Sequence, residues 1–499
     1  MARTLVIGAG LGGIAAALRL RAKGDDVEVL ERLSAPGGRA QVFERNGFKH
    51  DAGPTVITAP FLFDELFALF DEKREDYLDF KPLDLWYRFY FDETGETFDY
   101  TASIEKTKEE IARFRPEDAD GYDKLLKTSK AIFDVGFTKL ADKPFTKFSS
   151  MLAQIPSLLI LKSYLSVAQL VNTHLKHPQI RQAFSIHPLL VGGNPFDTTS
   201  IYALIHYLER EWGVFFCMGG TGKLIKELEA LMIRQGISIR YNTDIEQILV
   251  EKGRTSGVLT TSGDIISSDR VICNADTPAV YDELLSAQPK RRKKAIPDKL
   301  TRYSMGLYVL FFGTRKKYDS IAHHTIWMGK RYRSLLADIF NSKILADDFS
   351  LYLHRPTATD PSFAPDECDS FYVLCPVPNL QGNVNWDVQG RALKERIVTA
   401  LNRTIMPELK ETITDAFWMS PREFKSNYRA KYGAGFSIAP ILTQSAWFRY
   451  HNQDPHIDNL FLTGAGTHPG AGMPGVLCSA KVVENLITDM PKNRHHSNF

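Results

Sequence analysis

LVIGAGLGGIAAALRLRAKGDDVEVLE, residues 5–31, is the stretch whose reading decides the fold. Leu5, Val6 and Ile7 form a short apolar run. Gly8-Ala9-Gly10-Leu11-Gly12-Gly13 supplies G-x-G-x-x-G, residues 14–23 are alanine-rich and helical in pattern, and residues 27–30 make a second strand. Gly8 permits a tight turn, Gly10 lets the backbone approach a pyrophosphate, and Gly13 lets the helix lie close to the strand. The helix start offers free amides and the positive end of its dipole to phosphate. Glu31 stands where a carboxylate accepts hydrogen bonds from an adenosine ribose, which favours a 2′-hydroxyl over a 2′-phosphate. The stretch therefore predicts a site for FAD or NAD rather than NADP. The uncharged run over residues 4–18 also suits the apolar part of a secretory signal. Against that, the glycines sit at pyrophosphate spacing, no small-residue cleavage site follows, and strand and acid arrive in order.

The chain of 499 residues suggests two or three domains, and 44% hydrophobic with 24% charged residues is an ordinary globular balance. A net charge of +2 gives no global reason to expect nucleic acid as a partner. Cys217, Cys273, Cys368, Cys375 and Cys478 form no C-x-x-C pair, so neither a disulfide framework nor a cysteine zinc site is indicated, which fits a reducing cytosol. No segment has the roughly 18 uncharged apolar residues needed to span a bilayer. Residues 148–175, FSSMLAQIPSLLILKSYLSVAQLVNTHL, carry Lys162 as their only charge and read as two short apolar helices divided by Pro156. Such a pair is either buried core or an element dipping into the lipid interface.

After Glu31 come a second glycine pair and an arginine, Gly37-Gly38-Arg39, which can set backbone and guanidinium against an isoalloxazine ring or pyrophosphate. Asp51-Ala52-Gly53-Pro54-Thr55 follows. This order resembles the flavin-containing amine oxidase and carotenoid desaturase superfamily, and the resemblance moves the expected cofactor to FAD. Residues 86–91 and 97–100 read as a hairpin. Residues 217–223 fail as a P-loop, since Cys217 replaces the first glycine and Leu224 the metal-ligating hydroxyl. The helix, strand and meander that follow resemble the point where the superfamily's nucleotide domain resumes, with backbone near Ile245 facing adenine. The basic run at residues 289–294, reinforced by residues 315–317, is a solvated face or an attraction to anionic lipid. His323 and His324, being adjacent, should point apart on a strand with no acid at ligand spacing, so no metal is expected.

The stretch NLFLTGAGTHPGAGMPGVLCSAK, residues 459–481, is a strand, glycine-rich loop and helix. With LVGGNP at 190–195 and EWG at 211–213, it is very similar to bacterial-type carotenoid desaturases, the phytoene desaturases, along essentially the whole chain. The resemblance implies an α/β fold: a Rossmann-type, amine-oxidase-like FAD-binding domain assembled from residues 1–85, 215–300 and 426–499. An α+β substrate domain would occupy 86–214 and 301–425, the first of these including a helical membrane-facing part. It further implies FAD contacts from Gly8, Ala9, Gly10, Gly12, Gly13, Glu31, Arg32, Gly37, Gly38, Arg39, Pro54, Thr55, Ile245, Gly464, Ala465, Gly475 and Val476. Many FAD proteins carry Gly-Asp where this chain has Gly464-Ala465, so backbone must replace the acid.

The activity implied is stepwise dehydrogenation of 15-cis-phytoene towards neurosporene or lycopene. A C30 dehydrosqualene substrate and an amine oxidase-like flavoenzyme, to which Cys478 is only loosely suited as a flavin attachment point, are the alternatives, together with a catalytically idle flavin-binding or carotenoid-carrying protein. A long apolar polyene substrate, a membrane lipid surface, and oxygen or a quinone as terminal electron acceptor complete the expected partners. The place is the cytoplasmic face of the membrane, by peripheral association. No proton acceptor is marked by a motif. His187, Glu209 and His468 are candidates because they lie in motif stretches, although a histidine beside proline also suits a structural role.

Overall fold

Five parallel strands run in the order Leu460–Leu462, Arg270–Cys273, Arg3–Ile7, Asp26–Leu30, Ser238–Arg240 in the computed structural model, which describes residues 1–145, 148–152, 154–287 and 300–488. The nucleotide sheet is thus drawn from three separated parts of the chain. Its central strand pairs Val6 with Ile272 on one side and Val29 on the other, and Thr4 to Ile7 are buried. Both faces are covered, so these strands read as continuous apolar runs rather than alternating ones. The helix Leu11–Ala22 starts directly at the turn, with Gly10 as an N-cap that no side chain satisfies. Its residues from Leu11 to Leu20 are all buried, because the sheet lies on one side and the helix Met473–Thr488 on the other. Arg19 is the buried charge of that helix, and Glu65 at 2.7 Å and Glu484 at 3.0 Å both accept from it.

A seven-stranded sheet forms the second layer, in the order Ile413–Met419, Gly306–Thr314, Asp369–Val377, Leu351–His354, His324–Met328, Leu85–Phe91, Thr97–Thr101. Only His324–Met328 with Leu85–Phe91 is a parallel pair. Gly306–Thr314 is buried throughout, and its period of two separates two cores. Leu307, Val309 and Phe311 enter the cluster that reaches the helices, whereas Tyr308, Leu310 and Phe312 pack towards the helix Trp386–Arg403.

The apolar segment differs from the two-helix expectation. Three helices form, Phe148–Leu152, Ile155–Ile160 and Val167–His174, and Pro156 sits in the first turn of the second rather than breaking it. Proline is tolerated there because the first-turn amides have no intrahelical partner. The third helix starts at Ser166, where a complete capping box with Gln169 sets the boundary. Lys316 and Lys317 pair with Glu408 and Glu367, while the basic run at 289–294 lies outside the described residues. No helix among the described residues is long and apolar enough to cross a membrane.

Candidate active site

One continuous cavity begins at the C-terminal ends of the nucleotide strands and runs between the two sheets to the short apolar helices. Gly8, Gly10, Gly12, Glu31, Gly37, Gly38 and Arg39 line its first end; Leu158, Leu161, Leu335, Leu336 and Ile339 line its far end. Ligands of open α/β sheets bind beyond the carboxyl ends of the strands, and the first end lies there.

The turn leaves no room for side chains. A methyl at Gly10, Gly12 or Gly464 would come within 2.8, 2.5 and 2.8 Å of the Asn274 carboxamide. One at Gly13 would overlap the Gly8 carbonyl oxygen. Asn274 follows the strand Arg270–Cys273, and its amide bonds the Ile7 carbonyl at 2.8 Å, so its side chain stands between the glycine turn and the C-terminal loop. Sequence reading missed it, although its position past a parallel strand end is a usable signal.

Glu31 lies on the cavity wall with its carboxylate accepting from the Ala9 amide at 2.7 Å and the Leu33 amide at 2.9 Å. Burial raises its pKa while those amides lower it. The Arg32 amide also contributes, and a carboxylate with roughly four acceptor sites still has capacity for a ligand. Arg39 is enclosed by protein yet opens onto the cavity, and among the described residues it makes no ion pair and its Nε has no hydrogen-bond partner. Burial lowers its pKa, opposed by the charge of Asp276. A guanidinium left in this way fits an anionic or carbonyl-rich group such as the FAD pyrophosphate or pyrimidine ring.

The remaining expected residues fall as follows. Arg32, Pro54, Thr55, Ile245, Ala465, Gly475 and Val476 line the cavity. Arg32 itself is tied to the carbonyls of Ser426 and Asn427 and to Asp244. The Ile245 carbonyl is taken by Arg429 at 2.8 Å. The Gly464 amide donates to Ser479, and the Ala465 carbonyl accepts from Arg449, a fully buried side chain that also holds Thr467 and so fixes the loop. Cys478 is buried in the helix Met473–Thr488 with its thiol pushed up to about 12, and does not line the cavity.

Of the proton-acceptor candidates, the fold brings two together. Glu209, on the helix Leu204–Trp212, accepts from the Tyr87 hydroxyl at 2.8 Å and lies 3.1 Å from His187 Nε2. Glu209 is fully buried from solvent but lines the cavity. The His206 ring stands edge-on to His187, centroids 4.0 Å apart, and burial keeps it neutral. His468 also lines the cavity; its Nε2 bonds the Leu140 carbonyl at 3.0 Å, and burial pushes its pKa down to about 4. His323 and His324 do not point apart. The strand begins only at His324, and the two rings stand 4.6 Å from centroid to centroid.

A glycine turn free of side chains, a carboxylate with spare acceptor sites, a guanidinium unpaired among the described residues and an apolar chamber suit a flavin-dependent oxidoreductase. The flavin containing amine oxidoreductase family matches residues 11–483. The lycopene-forming phytoene desaturase of Pseudescherichia vulneris is 46% identical over 98% of this chain and 99% of its own. The neurosporene-forming phytoene desaturase of Cereibacter sphaeroides is 40% identical over 99% of this chain and 96% of its own. Among solved structures, putrescine oxidase bound to putrescine shares the fold, with a TM-score of 0.63 at 14% identity, covering 98% of this chain and 99% of that one. The chain belongs to the flavin containing amine oxidoreductase family and, within it, to the phytoene desaturases.

Proposed function

We propose that the protein removes hydrogen stepwise from phytoene, towards neurosporene or lycopene. The observation that carries this reading is the cavity, which joins the nucleotide turn to a long space walled by leucine and isoleucine. A hydrocarbon offers no polar handle, so shape and apolar contact must recognise it. Bound FAD supplies the two-electron acceptor for hydrogen leaving an allylic CH2. The amides at the start of the helix Leu11–Ala22 and the Arg39 guanidinium would hold its phosphates and ring, Glu31 would hold the ribose, and the cavity wall near Ile245, whose carbonyl Arg429 already holds, would take adenine. The helix start at Gly475 and Val476, which lines the cavity, would stabilise its pyrimidine end.

Glu209 is the carboxylate we assign as proton acceptor, oriented by Tyr87 and His187. Glu209→Gln should lower turnover by about 10²–10⁴-fold, the usual contribution of general base catalysis. FAD content should stay at the wild-type level. Full turnover in a flavin-loaded Glu209→Gln protein would remove the assignment.

The segment from Met151 to Leu161 supports a membrane seat. Met151, Gln154, Leu158 and Leu161 face the cavity, whereas Leu159 and Ile160 are 59% and 79% exposed. One side of the segment thus lines the chamber and the other offers aliphatic surface to a lipid interface, where the substrate is dissolved. Peripheral binding at the cytoplasmic face also gives access to oxygen or a membrane quinone as the final electron acceptor. Leu159→Glu with Ile160→Glu should reduce co-sedimentation with liposomes by about tenfold or more, given the transfer free energy of two such side chains. Unchanged sedimentation would place the membrane contact elsewhere.

FAD-loaded protein mixed with phytoene-containing liposomes tests the whole reading: the visible bands of a longer conjugated polyene should appear. No spectral change with bound FAD verified, or peroxide release from amines, would overturn it.

A further inference from the structure

Three histidines meet within the seven-stranded sheet, apart from the residues assigned above. His324 and His354 are directly opposed in register on neighbouring strands, and His323 immediately precedes the first. The ring centroids are 4.6, 4.8 and 5.4 Å apart. A nitrogen of each ring lies within 4.8 Å of one on each of the other two. The exposures of His323, His324 and His354 are 6%, 0% and 0%.

The outer nitrogens are anchored. His323 Nδ1 bonds Thr359 Oγ1 at 2.7 Å and His324 Nδ1 bonds the Tyr352 hydroxyl at 2.8 Å. That leaves Nε2 of both rings buried without a hydrogen-bond partner. His354, whose ring lies against the His323 carbonyl, makes no well-formed hydrogen bond at either nitrogen. Asp51 Oδ2 is likewise buried and unpartnered, 3.9 Å from His354 Nε2, while Asp51 Oδ1 accepts from the Thr221 amide at 3.0 Å. Buried polar atoms in native proteins are nearly all satisfied, so a convergence of several orphans requires a cause. Imidazole nitrogens held at Nδ1 by a partner, with Nε2 free and turned inward, have the arrangement of metal ligands oriented by an outer shell.

We propose that His323, His324 and His354 hold one zinc-class divalent cation, with the Asp51 carboxylate beside them, 3.9 Å from His354 Nε2. Zinc–nitrogen distances of about 2.0–2.1 Å require the ligand atoms to draw together by roughly an ångström. A site buried away from solvent is structural rather than catalytic. Its effect would be mechanical. Asp51 ends the strand Phe48–Asp51 and leads to Thr55, which bonds the same Tyr352 hydroxyl at 2.6 Å, so the ion would tie the cofactor end of the cavity to the substrate sheet.

The test uses the full chain with FAD bound, produced with zinc in the medium and without a polyhistidine tag. Elemental analysis should find about one zinc per chain, and X-ray absorption at the zinc edge should show nitrogen and oxygen ligands without sulfur. His323→Gln with His354→Gln should remove the metal while FAD is retained. Wild-type protein with less than about a tenth of an equivalent would overturn the proposal, since a buried water then fills the cluster. Full metal retention in a folded double variant, or sulfur in the first coordination shell, would also overturn it. If the double variant does not fold, the wild-type stoichiometry and absorption spectrum decide alone.

Discussion

Gly13→Ala should yield protein that purifies without its flavin. The added methyl would overlap the Gly8 carbonyl oxygen and sit 3.2 Å from the Gly8 carbonyl carbon and 3.3 Å from Asn274 Cβ. Two of these three neighbours are backbone of the turn itself, so no rotamer change relieves the clash. The helix Leu11–Ala22 must lift from the central strand, and its first amides leave the positions where they face the cavity. Overpacking of this kind costs about 1–3 kcal/mol, and lost bonds from amides to a charged group about 1.5–3 kcal/mol more. The overpacking weakens apo- and holo-protein alike, so at 1.4 kcal/mol per tenfold the lost amide bonds lower FAD affinity by about 10- to 100-fold. The ratio of flavin to protein absorbance after gel filtration measures it, and a wild-type ratio would show that the turn tolerates the shift.

That sensitivity explains which half of the molecule was legible. Backbone that must pass close to a pyrophosphate admits glycine and little else, so Gly8, Gly10 and Gly13 carry their meaning in their spacing. Arg39 was legible for a similar reason, standing directly after the ribose acid and a second glycine pair. The chamber has no such signature, because an apolar wall accepts any side chain of suitable size: Leu158 and Leu336 are unmarked in the chain. Glu209 and His187 are 22 residues apart and meet only because separate helices carry them to one wall. The failure at His323 and His324 has a different origin. Alternation along a strand separates neighbours only where both residues are in the strand, and here it begins at the second. Asp51, far away in sequence, comes within 3.9 Å of the His354 ring, an approach that local spacing does not reveal.

Arg39→Met should have effects of opposite sign on the apo-protein and on cofactor binding. The Arg39 side chain is half-buried, makes no ion pair among the described residues, and burial already lowers its pKa. Replacing it by an apolar chain of similar length removes an uncompensated charge, so the apo-protein should melt at the same temperature or higher. Asp276 is not left stranded by the change. The Lys431 amide still donates to its carboxylate at 2.8 Å, so the group keeps a hydrogen-bond partner when the arginine is gone. FAD, in contrast, loses a charge-assisted contact worth about 1.5–3 kcal/mol, and its dissociation constant should rise about 10- to 100-fold. A side chain that served packing alone would move both quantities in the same direction. Thermal melts of apo-protein and titration of FAD by fluorescence quenching separate the two cases. A lower melting temperature with unchanged FAD affinity would show that Arg39 supports the fold and does not touch the cofactor.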